Sequence, residues 1–181
     1  SFPFNFTLLI TFTLNKNSLE QKFRVINNDT KVMPFSFGGH PAFNIHSIDD
    51  YDIQFECEED IKANTLEGPY IKETLIDVIQ GNKIPLDKNI FNQDALIFQD
   101  LKSNWVKLAH KSSTHEVKLT ITDFPHLGIW SKPGAHFVCI EPWQGMADYV
   151  SHNKDILQKK GILTLESNDE VTKSFTMEFN S

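Results

Sequence analysis

Phe6-Thr7-Leu8-Leu9-Ile10-Thr11-Phe12-Thr13-Leu14 sets Phe6, Leu8, Ile10, Phe12 and Leu14 on one side and Thr7, Thr11 and Thr13 on the other. Side chains of a strand point alternately to its two faces, so this period of two predicts a strand with one face in a core. Asn15-Lys16-Asn17-Ser18 supplies a turn, after which Leu19, Phe23 and Val25 resume the alternation with Glu20, Lys22 and Arg24 outside. That pattern predicts a hairpin. A second turn, Asn27-Asn28-Asp29-Thr30, leads into Val32 to Phe37. The same theme returns at Ile53 to Cys57, Trp105 to Ala109, Val117 to Thr122, Phe137 to Glu141, Ile162 to Leu165 and Val171 to Phe179. The best helical candidate, Lys154 to Lys160 before Gly161, is short, with Lys159-Lys160 marking its end. Between Ile61 and Phe91, Gly68-Pro69, Gly81-Asn82 and Ile84-Pro85 are turn signals, and the stretch reads as one or two hairpins reaching over a sheet edge. Short strands with few helices predict an all-β fold, a sandwich or a barrel. With no repeat, low-complexity tract or linker, residues 1–181 read as a single domain of a size that buries a core without staples.

Composition narrows the partners. Fifteen phenylalanines against three tyrosines, many at alternate positions, favour aromatic rows inside a sheet. A formal charge of −7, without a lysine or arginine cluster that could follow a phosphate backbone, argues against nucleic acid. No stretch has the apolar length of a membrane span, and no secretory signal is evident. Cys57 and Cys139 read as reduced, buried thiols, which makes the cytoplasm the default location. Neither cysteine spacing nor histidine spacing forms a ligand motif, so no metal is expected.

Two strings concentrate the chemistry. In Gly38-Gly39-His40-Pro41-Ala42-Phe43-Asn44, the glycines admit conformations closed to other residues and Pro41 restricts what precedes it. A rigid bend aiming the imidazole is the expectation. In Cys139-Ile140-Glu141-Pro142-Trp143, the carboxylate follows the apolar run from Phe137 and should be desolvated, which raises its pKa toward that of a useful base. Together they offer a histidine acid, with an unperturbed pKa of about 6.5, and a carboxylate base. A histidine satisfied by a backbone carbonyl and a surface glutamate at a strand end are the alternatives the residues alone leave open.

These strings, with Asn92-Gln93-Asp94-Ala95-Leu96-Ile97-Phe98 and Asp123-Phe124-Pro125-His126-Leu127-Gly128-Ile129-Trp130 between them in order, resemble the aldose 1-epimerase (galactose mutarotase-like) family, and within it the LacX-like bacterial branch. The resemblance runs from Phe2 to Phe179 and implies the later strands of a large antiparallel β-sandwich. It also implies an N-terminally truncated domain, because the family's front strands, which contribute a second histidine or an arginine to the sugar pocket, have no match here. The activity implied is interconversion of the α and β anomers of a hexose. His40 would protonate the ring oxygen and Glu141 would take the proton of the anomeric hydroxyl, the two converging on the sugar from opposite sides of one cleft. No hydride, phosphoryl group or metal moves in that reaction, so no cofactor is expected.

Four further residues enter as candidates for binding the sugar. Asp94 resembles the family carboxylate that fixes a hydroxyl, with strand-start capping as its alternative. Trp143 would lie against a sugar ring or pack in the core. Lys132 would meet a hydroxyl or a phosphate, or be a solvated turn lysine. His126 is the one further histidine that reads as a pocket residue, whereas His46, His110, His115 and His152 read as solvated. Two other functions remain open: a hexose-6-phosphate epimerase, for which the single arginine Arg24 gives little cationic support, and a non-catalytic sugar-binding or regulatory module. An uncovered strand edge would also invite a homodimer.

Overall fold

The computed structural model describes residues 2–180. Its strands are β1 (Phe6–Asn15), β2 (Ser18–Asn27), β3 (Met33–Phe35), β4 (Ala42–Asn44), β5 (Tyr51–Phe55), β6 (Ala63–Glu67), β7 (Tyr70–Ile76), β8 (Lys83–Pro85), β9 (Leu96–Gln99), β10 (Trp105–His110), β11 (Glu116–Thr120), β12 (His126–Trp130), β13 (Phe137–Trp143), β14 (Leu163–Leu165) and β15 (Glu170–Asn180). A seven-stranded sheet runs β1-β2-β15-β11-β10-β5-β8 and a six-stranded sheet β4-β13-β12-β9-β6-β7. β14 and β3 form a separate pair. All the ladders between strands are antiparallel.

The two large sheets enclose one apolar layer. Phe23, Ile53, Phe55, Val106, Leu108, Leu119 and Phe175 come from the first sheet, and Leu96, Phe98, Leu127, Ile129, Val138 and Ile140 from the second. The phenylalanine surplus is spent here, with Phe23, Phe37, Phe124 and Phe175 in a tilted and edge-to-face cluster. Such geometry adds about 0.5–1.5 kcal/mol per pair beyond burial. Because Leu127, Ile129, Val138 and Ile140 turn inward, their neighbours on β12 and β13 face outward. A small apolar patch of Ile71, Ala95, Ile97 and Met146, with Trp130 and Trp143 against it, lies on that outer face.

β1 is a strand, but neither of its faces is covered. Phe6, Leu8, Ile10, Phe12 and Leu14 share a face with the buried Phe23 and Val25 of β2, yet are 41–77% exposed. The expectation of a core-facing side therefore fails: alternation reports which residues share a face, and only a second layer decides whether that face is dry. β1 is also the end of its sheet, so one of its backbone edges is unpaired.

Three other expectations are corrected. The helix at Lys154 to Lys160 is one 3-10 turn, Ile156–Gln158, whose Leu157 amide donates to the Asp155 carboxylate at 3.0 Å. Cys57 is exposed, its sulfur 3.5 Å from the Ser103 hydroxyl, while Cys139 is buried; both are free thiols. His152 is largely covered rather than solvated, its ring 3.8 Å from Asp148. The stretch from Ile61 to Phe91 does hold a hairpin at a sheet edge, β6 and β7, together with β8.

Candidate active site

The site is built by a continuous register. Ala42, Phe43 and Asn44 pair with Cys139, Val138 and Phe137, and Gly38 pairs with Trp143. Between them the Gly39 amide donates to the Pro142 carbonyl at 2.9 Å and the Ile140 amide to the Pro41 carbonyl at 3.2 Å. Every pair keeps one register, so His40 stands directly opposite Glu141 on a neighbouring strand. Their side chains meet on the outer face with imidazole Nε2 3.5 Å from carboxylate Oε1. Distance along the chain thus becomes a cross-strand contact.

This corrects the expected role of the two glycines. Neither Gly38 nor Gly39 has a left-handed backbone, and the segment runs on beside β13 instead of bending. What they provide is room: a Cβ on Gly39 would collide with the Phe175 ring, and one on Gly38 would lie 2.7 Å from Trp143 Cδ1. The imidazole is aimed by register, and the glycines let the strand lie close.

The pair is asymmetric. The Glu141 side chain is 6% exposed and that of His40 66%. Burial pushes the Glu141 carboxyl above the usual carboxylate range, against the opposing pull of His40 and of the neighbouring Trp143 side chain. Two residues away on the same face, burial and then the Glu141 charge push the Cys139 thiol up to about 11. His40, Glu141 and Trp143 line an open cleft of about 470 Å³ with Gly38, Met146 and Lys159 among its walls. An apolar groove of about 410 Å³ shares Ser36, Phe37 and Lys159 with it and reaches Phe6 and Leu8 of β1.

Trp143 stands on this cleft, its indole over Gly128, where a Cβ would lie 2.5 Å from the ring. His126 pairs with Trp143 in register and shares its outward face, buried to 2% exposure with Nδ1 unpartnered. Desolvation holds its pKa below the ordinary value. Asp94 lies in the turn before β9 at φ 72°, one residue before Ala95 of the outer-face patch, with one carboxylate oxygen accepting from the Ala95 amide at 2.8 Å. Lys132 lines a separate cavity with His46 and His136. The structure therefore brings together His40, Glu141 and Trp143, places His126 next in the row, and leaves Asp94 and Lys132 outside the cleft's lining. Cys139 and Lys159 were not singled out for this site. The spacing of Cys139, Glu141 and Trp143 at every second position of one strand is the signal for the first; no local pattern marks the second, whose ammonium is 2.8 Å from Asp148.

Residues 1–164 match the family described as aldose 1-epimerase. The chain belongs to that family. It is 27% identical to the plasmid-encoded protein LacX of Lactococcus lactis subsp. lactis, along 97% of this chain and 62% of that protein. A galactose mutarotase-like protein from Lactobacillus casei is 31% identical with a TM-score of 0.89, covering 98% of this chain and 64% of that one. A galactose mutarotase related enzyme from Lactobacillus acidophilus is 29% identical with a TM-score of 0.90, covering 99% and 63%. The two large sheets are thus those of a galactose mutarotase-like β-sandwich, and the chain spans less than two thirds of the length of these relatives.

Proposed function

We propose that this chain carries the acid/base pair of an aldose 1-epimerase acting on a hexose. The observation that supports it most is the cross-strand meeting of His40 with Glu141 at 3.5 Å in an open cleft. Ring opening needs a base on the anomeric hydroxyl and an acid on the ring oxygen, two oxygens bonded to the same carbon. Neighbouring groups suit that demand better than groups on opposite sides of a sugar, which corrects the arrangement expected from sequence. Glu141 takes the hydroxyl proton, protonated His40 gives one to the ring oxygen, and after rotation beside the open carbonyl the two exchange roles. A carboxyl raised by burial is the better base once ionised. Trp143 offers an apolar ring beside the pair, and His126 lies in the adjoining row as a positioning residue for the sugar.

The remaining roles follow as parts of the same reading. Asp94, one residue before Ala95 of the outer-face patch on which Trp143 packs, is assigned to a sugar hydroxyl, and Lys132 to a hydroxyl or a phosphate. The two free thiols accord with a reducing, cytoplasmic setting, and no helix among the described residues is long and apolar enough to cross a membrane. The uncharged, unpaired edge of β1 supports pairing with a second copy. A hexose 6-phosphate is the second substrate reading, favoured by one observation, Lys159 on the cleft wall with its ammonium held 2.8 Å from Asp148.

Polarimetry of freshly dissolved α-galactose or α-glucose tests the function. Acceleration of the approach to equilibrium that is lost in His40→Ala is the expected result, and sugar binding without acceleration overturns it in favour of a non-catalytic module. Running glucose 6-phosphate with Lys159→Ala beside it decides the second reading.

A further inference from the structure

We infer that His40, Cys139 and Glu141 form a site for one divalent ion of the zinc class, and that an ion held there blocks the acid/base pair. The inhibitory consequence rests on the function proposed above; the binding does not. Cys139 and Glu141 lie two residues apart on β13 and project to the same face, and His40 joins them from the segment that leads into β4. One imidazole nitrogen, one sulfur and one carboxylate oxygen all fall within 4.8 Å of one another.

The donor set is what selects the metal. Imidazole with thiolate favours a borderline ion such as Zn²⁺ or Co²⁺ over Mg²⁺ or Ca²⁺, which prefer oxygen alone. Bonds of about 2.0–2.3 Å put neighbouring ligands of a tetrahedral ion roughly 3.3–3.7 Å apart. The histidine–carboxylate separation of 3.5 Å already meets that. With all three atoms within 4.8 Å, closing onto one ion takes movements of no more than about 1 Å, and His40, with its side chain mostly in solvent, is the arm freest to move. Cys139 and Glu141 are both buried on a central strand, which supplies a fixed base for the ion. Three protein ligands leave the fourth position facing the cleft, open to water.

Binding releases the thiol proton to solvent and forms a metal–sulfur bond; nothing is oxidised. The ion then occupies the lone pairs of the imidazole nitrogen and carboxylate oxygen that proton transfer needs. Metal and sugar would therefore compete for one cleft.

Chelator-treated full chain titrated with Zn²⁺ by calorimetry, without sugar, tests the site. One saturable equivalent is expected, weakened roughly tenfold or more by Cys139→Ser and unchanged by Cys57→Ser. Co²⁺ in its place should give a thiolate-to-cobalt charge-transfer absorption that survives Cys57→Ser and disappears in Cys139→Ser. If the Cys139 variant fails to fold, Glu141→Gln carries the affinity test. Undiminished affinity in Cys139→Ser or Glu141→Gln, or a band that vanishes with Cys57, overturns the site. Zinc should also slow mutarotation in step with occupancy, reversibly on adding chelator; a zinc-saturated protein that keeps its full rate overturns the blocking role. Metal-free protein without mutarotation would refute the enzyme reading instead, and the calorimetry would still stand.

Discussion

Gly128→Ala puts the architecture of the cleft to the sharpest test. The new Cβ would lie 2.5 Å from Trp143 Cη2 and Cζ2 and 3.0 Å from Cε2. Carbon contacts settle at about 3.5–4.0 Å, so the indole must move by about 1 Å. It cannot slide the other way, because its Cδ1 edge already lies against Gly38, where a Cβ would be 2.7 Å off. Lifting from the sheet is what remains, and it takes the indole away from Glu141. Overpacking of this kind costs about 1–3 kcal/mol, which for a chain of this size lowers Tm by about 2–12 °C. A displacement near 1 Å beside the reacting groups costs about 100-fold in kcat/KM. Thermal denaturation and polarimetry read the two effects. Adding Trp143→Phe should remove most of the stability cost, a coupling of about 0.5–3 kcal/mol in the double-mutant cycle. A Gly128→Ala protein with parental Tm and parental rate would refute the placement of the indole.

Glu141→Gln should lower the mutarotation rate by about 10²–10⁴-fold. The same variant should raise Tm at neutral pH: the folded carboxyl is raised above its unfolded value, so its stability contribution is full below the unfolded pKa and lost as pH rises through the folded one. The gain must shrink on acidification, and equal Tm values across the pH range would contradict the burial. In the pH–rate profile, the acid limb of kcat should lie at lower pH than that of kcat/KM, and coincident limbs would count against the pair. Ile10→Lys on the uncovered face of β1 should change stability by no more than about 0.5 kcal/mol and reduce self-association in sedimentation; a large loss of Tm would show that face to be dry. Asn27→Ala should cost about 1–3 kcal/mol, read by denaturant unfolding, because the buried amide donates to the carbonyls of Lys31, Leu165 and Glu166 at 2.8, 2.9 and 3.0 Å.

Period-two alternation located β1, β2, β10, β11, β13 and β15, since half-buried antiparallel strands write their two faces into the sequence. It was silent on β12, where His126, Leu127, Gly128, Ile129 and Trp130 mix a polar and a small residue into the outer face of a central strand. It also overstated β1, whose sequence reads as core while its surroundings are solvent. The catalytic candidates were legible through the family resemblance that their strings carry, since the residues alone left a satisfied histidine and a surface glutamate open. Their contact was not, since it depends on β4 pairing with β13 in one register out of many. At Asp94 the string gave no sign of the left-handed backbone or of the carboxylate oxygen that accepts from the amide of Ala95.

The asymmetry between the two proposed proton-transfer groups accounts for the order expected of the pH limbs. Glu141 is nearly dry before any sugar arrives, so a ligand that fills the cleft has little further desolvation to impose on it. His40 is mostly in water, where its attraction for the carboxylate is screened. Expelling that water strengthens the attraction while the desolvation cost stays almost fixed, and the balance that raises Glu141 in the free protein tips downward. A sugar in the cleft would therefore make Glu141 easier to ionise, which favours the form of the base that the proposed ring opening needs. Burying both groups beforehand would forfeit the effect and leave a costly dry ion pair; exposing both would leave a carboxylate too weakly basic to take the hydroxyl proton.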